Sequence, residues 1–167
     1  MTVEDFIANP EVLRTLYEGD LPRLEVDIRV RSVNLDWHGP TVTLRVDLPS
    51  FPPDRPTWMT ADCNRIQCHL QFLAAEGISI PEWNQPVTAR LEAVPQDGRK
   101  RIRVTISGTG ADLTFTCSDS VLVGRISAFA INQDGSDDGP RSFLGRIDAR
   151  RHESLPEPYE KTYYGRL

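Results

Sequence analysis

The sequence predicts a mostly β domain of the α+β class. It has a short N-terminal helix and an antiparallel meander of about seven or eight strands, curled or barrel-like. Three observations predict it. Apolar and polar residues alternate through most of residues 24–117. Turn residues interrupt that alternation at short intervals: His38-Gly39-Pro40, Asp97-Gly98 and Gly108-Thr109-Gly110. Helical spacing of apolar residues is confined to the first seventeen positions.

Thr2 with Asp5 three residues on has the form of a capping box. Asn9-Pro10-Glu11 has the form of a second helix start, with Asn as cap and Pro in the first turn. Val12, Leu13, Leu16 and Tyr17 form an apolar stripe, and Gly19 stops it. Leu24, Val26, Ile28 and Val30 then alternate with charged residues until the phase slips at Arg31-Ser32. A one-residue slip inside a strand predicts a bulge. Val33, Leu35 and Trp37 carry the new phase, which places Trp37 at the core or its edge. After the His-Gly turn, Val42, Leu44, Val46 and Leu48 point inward and Thr41, Thr43, Arg45 and Asp47 toward water.

Pro49, Pro52, Pro53 and Pro56 exclude helix and inner strand and predict a stiff loop closing on Trp58. The next strand runs from Asn64 to about Leu73, and residues 74–86 are expected to be a loop that holds Trp83. Strands around Val87–Ala93, Ile102–Ile106 and Leu113–Cys117 follow. The run from Val121 to Ile131 fits a buried strand or a short helix. These elements form a single β domain over 1–131. Residues 132–167 are expected to be a polar linker and a loosely packed tail.

The charge is uneven. The formal net charge is -5, and residues 141–167 hold six basic against four acidic side chains, so the first 140 residues carry -7. An acidic body argues against a nucleic-acid partner and suits a basic protein partner. No apolar run is long enough for a membrane span. The N-terminus MTVEDFIANPEVL has no signal-peptide pattern. Together with only three cysteines (Cys63, Cys68, Cys117), this predicts reduced thiols in the cytoplasm.

Catalytic and metal-binding patterns are missing. His38, His69 and His152 fall in a turn, on a strand and in the tail, with no nucleophile motif beside them. Cys63 and Cys68 fall on opposite strand faces, which does not suit zinc. Gly108-Thr109-Gly110 lacks the rest of a phosphate loop, and the aspartates 134, 137 and 138 lack the closing glutamate of a calcium loop. No enzyme activity, cofactor or metal is expected.

Several segments, in order, resemble the immunity protein 50 family. These are Leu16-Tyr17-Glu18-Gly19-Asp20-Leu21-Pro22, Val33-Asn34-Leu35-Asp36, the Val42–Pro49 run ending Asp47-Leu48-Pro49, the proline loop closing on Trp58, Asn64-Arg65-Ile66-Gln67-Cys68, and Val121–Phe129. The resemblance covers roughly residues 12–131. It implies a mostly β fold and neutralisation of a cognate bacterial toxin, encoded in a polymorphic toxin system, by protein–protein contact. The family supplies no contact residues. The residue types that suit a partner surface here are Asp47, Asp54, Arg55, Trp58 and Asp62 around the stiff loop, with Trp83 in the next one. The alternative is a small cytoplasmic barrel that holds an apolar ligand, with or without enzyme activity. The bulky aliphatics at inward positions weigh against it.

Overall fold

Alternation and turn chemistry build one open sheet. The computed structural model describes residues 1–25, 28–84 and 87–145. A 3-10 turn (Val3–Phe6) and α1 (Glu11–Leu16) precede nine strands: β1 (Ile28–Asp36), β2 (Thr41–Asp47), β3 (Arg65–Leu73), β4 (Glu76–Trp83), β5 (Val87–Pro95), β6 (Arg101–Gly108), β7 (Ala111–Ser118), β8 (Val121–Phe129) and β9 (Arg141–Phe143). All pair antiparallel in the order β4-β7-β6-β5-β1-β2-β3-β8-β9. The sheet curls without closing, so its apolar face wraps on itself. Phe72 of β3 meets Phe115 of β7 edge-to-face across the interior at 5.2 Å.

Tight turns set the registers. Gln96 N–H donates to Arg101 O across the Asp97-Gly98 turn, where Gly98 has φ +67°. Arg31 is the extra residue of the bulge between Val30 and Ser32 in the β1–β2 pairing, where the phase slip lies. A second bulge lies in β8 opposite Cys68, where Arg125 takes φ +47°. Val121–Phe129 is a strand, and its inner residues 121, 123, 126 and 128 are buried.

Several expectations need correction. Residues 76–83, expected to be loop, form β4; every residue but Trp83 is exposed, so no alternation marks it. The chain reaches β4 from β3 through a corner at Ala74 (φ +52°), which lets it leave one part of the sheet for the far edge. Trp37 is 87 % exposed, because the β1–β2 hairpin outruns the core. Asn9 does not cap α1; Pro10 holds that position. Instead the Asn9 amide donates to Val123 O (2.7 Å) and accepts from Val123 N–H (2.9 Å), acting as a strand partner for β8. Ordered packing also continues past residue 131, since 132–145 cross the outer face of β3 and β8 and add β9. Val26, Asp27 and residues 146–167 of the expected tail lie outside the described residues.

Candidate interaction surface

The outer face of β2 and β3 carries Arg45, Asp47, Gln67 and His69, which alternation alone would leave wet. The segment 132–145 buries it. Asp47 is 4 % exposed and accepts three bonds from the Arg31 guanidinium: Nε to Oδ2 at 3.0 Å and to Oδ1 at 3.2 Å, and Nη2 to Oδ2 at 2.6 Å. Gln67 Nε2 bridges the two acids, donating to Asp47 Oδ1 (2.6 Å) and Asp137 Oδ2 (3.0 Å). Asp137 also pairs with Arg45 (3.2 Å) and Arg141 (2.5 Å), while Arg31 Nη1 donates to Gly135 O (2.7 Å). Arg141 and Arg31 both lie over the Phe129 ring, at 4.4 and 5.8 Å. Asp47 is therefore part of the fold and is not displayed to a partner.

Burial raises the cost of charge on Asp137, but the Gln67 hydrogen bond and the cations Arg45, Arg141 and Arg31 outweigh it and hold its carboxyl low. His69 sits beside this network with Nε2 unpartnered. Burial, then the charges of Arg125, Arg45 and Arg141, push it down to about 3, so it is neutral. Burial pushes the thiols of Cys68 and Cys117 up to about 12, so neither is a thiolate at neutral pH.

The proline loop is the surface that remains. It is rigid for identifiable reasons. Tyr17, the C-cap residue of α1, donates its hydroxyl to Ser50 O at 2.7 Å. Thr60 N–H donates to Ser142 Oγ at 3.2 Å. Inside the loop, Arg55 Nη1 donates to Thr60 O and Cys63 O, with the guanidinium over Phe51 at 5.3 Å. Arg55 thus fastens the loop with its own donors. Trp58 and Trp83 are half-buried against the core, so each plugs a loop or edge onto it.

Asp54 and Asp62 are exposed. The Thr60 hydroxyl donates to Asp62 and holds it low, with Arg55 adding to the effect. Asp54 has a neighbour that sequence reasoning did not single out: Glu18, just past α1, at φ +57°. The protonated Glu18 carboxyl donates to Asp54; that hydrogen bond, then the charge of Asp54, pushes the Glu18 carboxyl up. Two surface carboxyls therefore face each other in competition, an arrangement that a cation relieves. Nothing in the spacing of residues 18 and 54 signals the contact; only the packing of α1 against the loop creates it. A polar crevice of about 390 Å³ opens at the loop's foot, between Pro49, Phe51, Arg65 and Ile131.

Among the described residues no cluster of histidine, cysteine and carboxylate side chains is arranged to hold a metal. The family model described as immunity protein 50 matches residues 9–129. None of the curated proteins matches the chain, and no solved structure does.

Proposed function

We propose that this chain, which belongs to the immunity protein 50 family, is an immunity protein that binds and neutralises a cognate bacterial toxin by direct contact. The family description implies a protein partner. The facing carboxyls Glu18 and Asp54, with Asp62 on the same rigid loop, support a basic one. The acidic net charge of the first 140 residues would speed the encounter, in a salt-dependent way. Action in the cytoplasm of the producing cell, without catalysis, completes the reading. The Phe72–Phe115 contact occupies the interior that a ligand-binding barrel would leave open, which supports binding by surface.

The test is a rescue. The toxin domain encoded beside this gene is expressed in a sensitive strain with and without the chain, and the two proteins are co-purified. Survival with a stoichiometric complex is expected. Death in both strains with no complex would sink the proposal.

A further inference from the structure

One end of the sheet finishes in the three-residue β9, the other in the eight-residue β4. The outer edge of β8 is covered. Ile7 bridges to Val121, Ala8 N–H donates to Val121 O, Asn9 pairs with Val123, and β9 takes residues 127–129. The outer edge of β4 has no strand beside it among the described residues. An unpaired edge offers a row of backbone donors and acceptors to another chain.

β4 is fixed at both ends; Pro81 has no N–H and the β4–β7 register breaks twice between Glu76 and Glu82, so the free donors lie on either side of Pro81. Ala75 N–H donates to Pro40 O at 2.8 Å, and Arg101 clamps the corner through Ala74 O (3.0 Å) and Glu76 (2.8 Å). At the other end Trp83 packs on the core and Asn84 N–H donates to Gly110 O at 2.8 Å. Between these anchors Ile78 and Ile80 are 39 % and 40 % exposed. Glu76 and Glu82 flank them, and the strand has no cation.

We infer that the outer edge of β4 is a strand-addition site for an extended segment of the toxin, with apolar residues set between lysines or arginines. The inference rests on the toxin-binding reading above. Main-chain bonds would supply affinity, and the isoleucines together with Glu82, which no cation engages within β4, would select the sequence. A second copy of this chain fits poorly. The antiparallel register that sets Ile78 against Ile80 of a twin strand sets Glu82 against a Glu76 whose charge Arg101 already engages, and β4 brings no cation of its own to Glu82. A basic segment brings one.

Amide hydrogen exchange on the full chain, alone and with the toxin domain encoded beside its gene, tests this. Amides within 76–83 that exchange freely in the chain alone should slow on binding. The variant Ile80→Lys/Glu82→Lys should melt like the parent and bind about tenfold or more weakly. A complex without new protection at 76–83 overturns this inference and leaves the immunity reading standing. Slow exchange of all 76–83 amides already in the chain alone, from a twin strand or from residues 146–167, overturns it as well. Failure to form any complex removes the immunity reading and this inference together.

Discussion

Arg31 and Asp47 form a two-point ion pair with both side chains almost out of water, at 3.0 Å (Nε) and 2.6 Å (Nη2). The arginine is the extra residue of the β1 bulge, so the backbone irregularity aims the guanidinium at the carboxylate. Removing one partner strands the other, which costs about 3–5 kcal/mol for a buried charge. Asp47→Ala should therefore lower stability by that order in urea titration. Arg31→Met/Asp47→Leu should lose much less. A double variant as unstable as the single one would mean that the pair is not the source of the loss.

The bond network at Asp137 predicts local release. Its partners Gln67, Arg45 and Arg141 hold 132–145 on the sheet, with Phe143 the main apolar anchor. Asp137→Ala should speed hydrogen exchange and proteolysis in 132–145 and leave β5–β7 unchanged. Acid should act in the same way. The folded carboxyl lies below its ordinary value, so its contribution is present above the ordinary carboxylate range and lost as pH falls through the depressed value. Release at pH 6 would contradict this assignment.

The strands with one wet face were legible because period-two alternation and turn chemistry agree, and even the Arg31 bulge showed as a phase slip. β4 was not legible: Gly77, Pro81 and exposure on both faces erase the pattern. Asp47 alternates onto the outer face, as read. The cover from 132–145 that buries it arises from contacts 70 to 104 residues apart, which no local pattern carries. Trp37 continues a core phase beyond the point where the core ends. Asp54 and Asp62 stand exposed, yet the Glu18 that faces Asp54 comes from another element and leaves no sequence signal.

His69 predicts a pH slope at mild acidity. Burial first, then three arginines, push its pKa down to about 3. The unfolded chain binds a proton near pH 6.5 and the folded chain does not, so stability falls as pH drops from about 6.5 toward 3. One proton corresponds to roughly 2 kcal/mol between pH 6.5 and 5. His69→Gln should remove that slope while keeping a polar group of similar reach. Denaturation midpoints of both proteins at pH 7 and 5 measure it, and identical slopes would show that another group titrates.

Glu18 predicts a trade between stability and binding. It holds a left-handed backbone (φ +57°) that glycine adopts without strain, and it faces Asp54 in a mutually unfavourable carboxyl pair. Glu18→Gly removes both defects, so its melting temperature should rise by a few degrees. The same change removes half of the carboxyl pair that a cationic toxin side chain would relieve, so affinity for the toxin domain should fall, mainly through slower association at low salt. Raising the salt should narrow the gap between parent and variant, because exposed charges are screened beyond about 10 Å at 0.1 M. A variant that is both more stable and equally tight would place the toxin contact away from Glu18 and Asp54. A variant that is weaker by the same factor at all salt concentrations would assign the loss to shape rather than charge.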